Sequence, residues 1–399
     1  MKRAISAVAA MLVSLTAYGV TREEIAQIQV GKEGNFSYWN QESAVLQTLK
    51  DYVALVTNPS GADYVAPEER VAVFDLDGTL ICETAPTYFE WLLYLHRVLE
   101  DEAYPASAAE KAYAEEVKAA VENHSIPAEM DWGEAYAQNA AFTGMTMQQY
   151  ADYVGAYGKT EVEGYNGMLW EEAFYLPMVE VVSYLASNDF KTYIVSGSER
   201  QLLRVLAGGV LKFETNHIIG SDVETYGSEQ GDAEGLDYVF KPSDEVLRGN
   251  LTMKNLKMNK VSSIVREIGI RPILAFGNST GDFSMFQYTS SNPERTGLAF
   301  CVLADDTQRE NGNPTKAASI KQRCEEAGWN TVSMKDDWRT IYGDGVERNN
   351  PTNINVVSVA NPSSDNITIY GTKAASDFQG ILIKEKGMVE FSHSPHARR

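Results

Sequence analysis

Asp75 and Asp77 sit at the end of VAVFDLDGTL (Val71–Leu80), with Gly78 directly behind them. The four apolar residues ahead of them read as a short buried strand, and residues two apart on an extended chain face the same way. Two carboxylates held that close repel each other unless the chain supplies something positive. Other polar groups follow apolar runs in the same manner. Ser196, Gly197 and Ser198 come after TYIV, and Gly277, Asn278, Ser279 and Asp282 come after ILAF. Lys260 heads a helix-like stretch before the last of these runs. Ligands of open parallel sheets bind outside the carboxyl ends of the strands, so all of these residues are expected along one edge.

That set of residue types suits phosphoryl transfer. Carboxylate and amide oxygens are hard ligands that fit Mg²⁺, which takes one or two carboxylates and keeps positions for water and substrate. Asp75, Asp77, Asn278 and Asp282 are the candidate metal contacts. With its charge so shared, Asp75 can attack phosphorus to form an aspartyl-phosphate, while Asp77 protonates the leaving oxygen and later deprotonates water. Ser196 and the Gly197 N–H can hold the phosphoryl oxygens, and Lys260 can neutralise the charge that builds on them. Lys254 and Lys257 compete for the lysine role, but Lys260 opens the helix preceding the Asn278–Asp282 loop. Ser196 and Asp282 also stand where helix caps would, Asp282 just ahead of Phe283.

The elements that must position these residues follow from periodicity. SAVLQTLKDYVALVT (Ser43–Thr57) has helical spacing with Ser43 as cap. From Ala85 to Phe174 the chain turns rich in Ala, Glu, Tyr and Met, and TYFEWLLYLHRVLE and AAEKAYAEEVKAAVEN read as helices. After Leu176 strands and helices alternate: PMVEVVSYLAS, FKTYIVSGS, ERQLLRVLAGGV, NKVSSIVREIG, PILAFGNS, LAFCVLAD and PTKAASIKQRCEEAG. Between Asn216 and Met258 only short β-like pieces are expected, HIIGS, DYVFK and LTMKN. The fold class is therefore α/β, a Rossmann-like doubly wound parallel sheet with an inserted α-helical cap and a small β-rich C-terminal module. The expected divisions are a signal peptide over 1–19, a core over 20–84 and 175–345, the cap over 85–174, and the module over 350–399.

The motifs resemble the haloacid dehalogenase superfamily. Asp75, Asp77, Gly78 and Thr79 match its first motif, IVSGS its second through Ser196, NKVSSI its third through Lys260, and GNSTGD its fourth. PEERVAVFDLDGTLICET and GWNTVSMKDDWRTIYG are similar to exported members near phosphoserine phosphatase and phosphorylcholine phosphatase, a branch with a helical cap after the first motif. The resemblance implies an Mg²⁺-dependent phosphomonoesterase acting on small phosphate esters, with Thr79 and Gly197 at the substrate. Many relatives carry Asp where this chain has Asn278, which leaves Asp282 as the expected second anionic ligand. Dehalogenases of the superfamily lack a carboxylate at the Asp77 position. Glu83 lies close to where phosphoserine phosphatases carry a substrate-facing glutamate, and a carboxylate there would meet the cation of an amino or choline ester; a solvated glutamate at the entry to the cap is the equal alternative. Two further readings stay open: a phosphotransferase, and a catalytically weak surface protein that binds a phospho-ligand.

Composition narrows the partners. A net charge of −21 disfavours nucleic acid and anionic membranes as partners; the small phosphorylated molecule expected as partner is what the motifs and the resemblance imply. Lys2, Arg3 and the apolar run AISAVAAMLVSLTAY, with small residues at Ala17–Gly19, read as an export signal, and no later stretch has transmembrane length. Export implies a periplasmic, cell-surface or secreted location. The module stretches VVSVANPSSDNITIYG and ILIKEKGMVEF resemble sorting domains of a Bacteroidetes-type secretion route, which would make export machinery a second partner. Cys82, Cys301 and Cys324 form no disulfide framework and no metal-ligand spacing, and Cys82, near the carboxylate pair, is read as structural rather than as a nucleophile. The cap aromatics Tyr88, Trp91, Tyr94, Trp132 and Trp170 are read mainly as packing, with stacking on a quaternary ammonium as the alternative. His96, His124 and His217 form no metal set.

Overall fold

The computed structural model describes residues 19–127 and 130–349, together with two short strands at 381–384 and 387–390. Two helices lead in, α1 (Arg22–Gln27) and α2 (Ala44–Thr57), and the Ser43 hydroxyl caps α2 by accepting the Leu46 N–H at 3.2 Å. Strand β1 (Val71–Phe74) follows, buried at every position. The chain then leaves the sheet for α3 (Phe89–Leu95, running on as a π-turn to Glu100), α4 (Ala108–Glu122), α5 (Met130–Ala141) and α6 (Met147–Gly158). A two-residue strand, β2 (Tyr165–Asn166), precedes the return to α7 (Leu176–Ser187) and β3 (Lys191–Glu199). Helices therefore fill most of the stretch 85–174, as its composition leads one to expect, with β2 a two-residue exception.

The second half alternates. Helix α8 (Arg200–Ala207) is followed by β4 (Ile218–Gly227) and β5 (Val246–Met253), then α9 (Met258–Ser263) with its own π-turn to Ile268. Next come β6 (Leu274–Gly277), α10 (Phe283–Ser290), β7 (Leu298–Leu303), α11 (Pro314–Ala327), β8 (Asn330–Ser333) and β9 (Glu347–Arg348). Seven strands form one sheet in the order β5-β4-β3-β1-β6-β7-β8, parallel throughout except for the antiparallel edge pair β4–β5. Strand β1 is central, with Phe74 in register with Ile194 of β3 and Phe276 of β6. Alternate β1 side chains feed separate cores: Ala72 and Phe74 join the one beneath α2 and α7, while Val71 and Val73 join the one beneath α10 and α11. Helices thus cover both faces, as a continuous apolar strand requires.

One expectation needs correction. The stretch after Asn216 holds not isolated β pieces but a hairpin arm of 10 and 8 residues, β4 and β5. DYVFK lies in the loop between them rather than in a strand, with Val239 and Phe240 exposed. The proposed signal peptide, apart from Gly19, and most of the C-terminal module lie outside the described residues. Within the module, β10 (Ile381–Lys384) and β11 (Gly387–Glu390) pair antiparallel. Among the described residues no helix is long and apolar enough to cross a membrane.

Candidate active site

The carboxyl ends of β1, β3 and β6 bring the sequence-predicted residues together. Asp75 and Asp77 leave β1, and both are buried. Gly78 turns the chain at φ +69°, where a Cβ would stand 1.9 Å from Asn278 Nδ2. Only glycine meets both the left-handed backbone and the close approach of the β6 loop. Lys260, fully buried at the start of the α9 region, places Nζ 2.8 Å from Asp75 Oδ1 and 2.6 Å from Asp282 Oδ1. Neither Lys254 nor Lys257 takes this place. Lys254 pairs with Glu90 of α3 at 3.3 Å, and Lys257 is the residue directly ahead of α9, at φ +53°.

Asp282 has partners that compete with its expected metal role. Its Oδ1 meets Lys260, and its Oδ2 accepts the backbone N–H groups of Asn278 and Ser279, each at 3.0 Å. This approach is close enough that a Cβ on Gly277 would lie 2.5 Å from Asp282 Cγ. Asn278 divides its amide instead. Nδ2 donates to Glu83 Oε1 at 2.8 Å, while Oδ1 is buried with no hydrogen-bond partner. Asp75 Oδ1 makes its ion pair but no well-aligned hydrogen bond. Among the described residues no three His, Cys, Asp or Glu side chains converge as a metal cluster. The oxygen-only donors and the orphaned Asn278 Oδ1 nevertheless fit a hard cation such as Mg²⁺.

On the β3 side, Ser198 rather than Ser196 makes the short contact to Asp77. Ser198 Oγ donates to Asp77 Oδ2 at 2.7 Å, whereas Ser196 Oγ lies at 3.5 Å and accepts the Ser198 N–H at 3.2 Å. Gly197 is fixed from behind, its carbonyl accepting the Ser221 hydroxyl at 2.6 Å. Thr79 is fully buried and its hydroxyl has no hydrogen-bond partner. Sequence reasoning did not single out the ionic chain behind this wall. Glu90 accepts the Glu199 N–H at 2.8 Å, and Glu199 pairs with the buried Arg248 at 3.0 Å. The Arg248 guanidinium lies 3.6 Å from the centre of the Tyr150 ring in α6. Only the alternation of charge with apolar residues in ERQLLRV and VLRGNL hints at it.

Burial sets the electrostatics. It pushes the Asp75 carboxyl well above its ordinary range, reinforced by Asp282 and opposed by Lys260. Burial also raises Asp77, to about 6; the Ser198 hydrogen bond and Lys254 hold it down, while Glu90 and Glu83 push it up. Glu83 is raised chiefly by burial, with Asn278 and Lys316 opposing. For Lys260 burial acts against the charge, but Asp282 and Asp75 outweigh it and its pKa rises. Cys82 is buried and its thiol is pushed up, which leaves little nucleophilic thiolate beside the site. Of the cap aromatics, Trp91, Tyr94 and Trp170 are packed in the core, while Trp132 is exposed and stacks on Tyr136.

Comparison with known families agrees with this geometry. The model of haloacid dehalogenase-like hydrolases matches residues 72–287, more than half of the chain and the whole span from β1 through most of α10. The chain belongs to that family. Its members' name states a hydrolase, and the four strand-end motifs lie inside the matched span. No curated protein matches the sequence. Among solved structures, a functionally unknown protein from Anaerococcus prevotii is 14% identical, with a TM-score of 0.45, over 76% of this chain and 96% of that one. A protein of unknown function from Bordetella pertussis is 12% identical, with a TM-score of 0.42, over 66% and 98%. A probable phosphoserine phosphatase from Vibrio cholerae is 13% identical, with a TM-score of 0.35, over 75% and 71%. Likenesses this distant add nothing to the functional reading.

Proposed function

We propose that this haloacid dehalogenase-like hydrolase is an exported, Mg²⁺-dependent phosphoric monoester hydrolase that works through an aspartyl-phosphate on Asp75. The observation that carries the reading is Lys260 lodged between Asp75 and Asp282, with a second carboxylate, Asp77, held two residues on by Ser198. A carboxylate at the Asp77 position is what phosphate chemistry needs and what dehalogenases lack.

The steps follow from the residues. An Asp75 carboxylate oxygen attacks phosphorus as the ester P–O bond breaks, and Asp77 gives its proton to the departing oxygen. Asp77 then takes a proton from water, whose oxygen attacks the aspartyl-phosphate and frees Asp75 and inorganic phosphate. Lys260 offsets charge on the phosphoryl oxygens, and Ser196 with the Gly197 N–H hold them. Mg²⁺, which Asp75 and Asn278 Oδ1 would hold with Asp282 behind Lys260, would supply further charge neutralisation. Asp77 pushed up to about 6 by burial suits a group that must both give and take a proton near neutrality.

Glu83 and Glu90 both act on Asp77; Lys254 is paired with Glu90, and Lys316 acts on Glu83. The reading extends to a leaving group with a cation, such as the alcohol of a phosphoserine- or phosphocholine-like ester, which the Glu83 carboxylate beside Asn278 would meet. The test is hydrolysis of p-nitrophenyl phosphate with and without Mg²⁺ by the wild type and Asp75→Asn, followed by a screen of phosphoserine, phosphocholine and sugar phosphates. Equal rates for the two proteins would overturn the reading. Export is checked by cell fractionation. Truncation after Asn349 is expected to preserve hydrolysis and trap the protein in the periplasm, through loss of contact with export machinery.

A further inference from the structure

Glu310 lies in the loop between β7 and α11, away from the four motifs, and is fully buried. Its carboxylate accepts from the hydroxyls of Thr84 and Tyr342, from Tyr165 Oη at 2.7 Å, and from the Asn311 N–H at 2.8 Å. Four donors around one acceptor-only group make a fully satisfied buried network. The partners are the informative part. Thr84 lies on the segment that enters the helical insertion, Tyr165 lies in β2 on the segment that leaves it, and Tyr342 follows β8 in the core. Asn311 adds a second grip, its Nδ2 donating to the Thr84 carbonyl at 2.9 Å. Thr84 is thus held through both its side chain and its backbone. Its neighbour Glu83 reaches Asn278 at 2.8 Å.

We propose that Glu310 is a positioning residue for the candidate active site: by clasping Thr84 it keeps Glu83 on Asn278 Nδ2, so that the amide presents Oδ1 to the ligand. An amide, unlike a carboxylate, has a right and a wrong way round. With Asn at 278, something must fix the amide's orientation, and Glu83 accepts a hydrogen bond only from the nitrogen end. The clasp also joins both strands of the cap hinge to one core loop, so hinge position and amide orientation are set by the same carboxylate. What the Oδ1 meets rests on the phosphatase reading above; the clasp itself does not.

The test uses the full chain and two readouts besides turnover. Backbone hydrogen exchange is followed over 81–88, and Mg²⁺ alone is titrated by calorimetry. Glu310→Gln is expected to speed exchange over 81–88 at least tenfold, leave 191–195 of β3 unchanged, and weaken Mg²⁺ about tenfold. Thr84→Val, which removes one hydroxyl and keeps the shape, is expected to move both readouts the same way by a smaller factor, and serves if Glu310→Gln does not fold. Glu180→Gln is the control, since Glu180 is an equally buried carboxylate whose partners are the Ser37 and Tyr38 N–H groups. It is expected to leave exchange over 81–88 and Mg²⁺ affinity as in wild type. Unchanged exchange and affinity in Glu310→Gln or Thr84→Val, or equal effects from Glu180→Gln, would overturn the proposal. A wild type that hydrolyses no phosphate ester would sink the phosphatase reading and leave the exchange test intact.

Discussion

Replacing Lys260 by Met tests the electrostatic centre of the site most directly. The ammonium is fully buried between two carboxylates at 2.8 and 2.6 Å. At an effective dielectric constant of about 20, opposite unit charges at 2.8 Å attract by about 6 kcal/mol. Desolvation of the ions offsets part of this, and breaking buried pairs by removing one partner costs about 3–5 kcal/mol. Lys260→Met is therefore expected to lose about 3–5 kcal/mol of stability at pH 8, read from urea midpoints. The sign of its pH dependence separates charge from packing. Without the cation, Asp75 keeps the burial and the Asp282 charge that raise its carboxyl and loses the charge that opposes them, so it binds its proton still more tightly in the folded state than in the unfolded one. The deficit should therefore shrink as pH falls from 8 toward 5. Adding Asp282→Asn to Lys260→Met should recover part of the loss. In assays well below the unfolding transition, kcat/KM should fall about 10²–10³-fold, the range seen when a group stabilising transition-state charge is removed. A stability deficit equal at pH 5 and pH 8, with no recovery in the double variant, would refute the electrostatic account and leave only a cavity.

Three more outcomes follow. Ser198→Ala removes the 2.7 Å bond to Asp77 and should lower kcat/KM about tenfold, since a hydrogen bond to a charged group contributes about 1.5 kcal/mol; Ser196→Ala, lacking that short contact, should affect phosphate binding instead, and a larger kcat effect from Ser196 would reverse the assignment. Gly78→Ala forces a Cβ onto Asn278 Nδ2 at φ +69°, and should cost about 1–2 kcal/mol of stability and disable Mg²⁺-dependent turnover; wild-type calorimetry and activity would count against it. Glu180 on α7 is pushed up to about 7 by burial, against the Ser37 and Tyr38 N–H bonds that lower it. Its folded pKa exceeds its unfolded one, so its contribution is complete below about pH 4.5 and is lost as pH rises through about 7, by about 3 kcal/mol. Urea midpoints of Glu180→Gln should show a flatter decline between pH 5 and 8 than wild type, and identical slopes would refute it.

The sheet was legible because its central strands carry side chains buried on both faces. VAVF and LAFCVL are unbroken apolar runs, which only a strand covered on both sides permits. The hairpin arm was not legible for the opposite reason. SDVETYG in β4 is polar at most positions and partly exposed, so its composition reads as loop. Its strand character comes from backbone pairing with β5, in which Tyr226 faces Leu247 and Thr225 faces Arg248. DYVFK shows the converse. Its residue types favour a strand, but no neighbouring edge pairs with it, and the Asp244 carboxylate instead accepts from Tyr238 Oη and the Lys241 N–H in a turn.

The site divides along the same line. Asp75, Ser196, Asn278 and Asp282 were readable because each lies in the carboxyl-terminal half of a strand or just past it, and the sheet order places those strands side by side, so one-dimensional spacing encodes a three-dimensional edge. Their division of labour was not readable. Asp282 and Asn278 are both oxygen donors four residues apart, and only the fold shows that Asp282 is taken up by Lys260 and two backbone N–H groups while Asn278 keeps an oxygen without a partner. Glu310 was out of reach altogether, because its partners come from positions 84, 165, 311 and 342 and form no local pattern. Motifs record the groups that must stand at strand ends. The groups that aim them are drawn from wherever the chain passes, and a neutral amide at 278 raises the demand for aiming, because an amide turned the wrong way offers a donor where the site needs an acceptor.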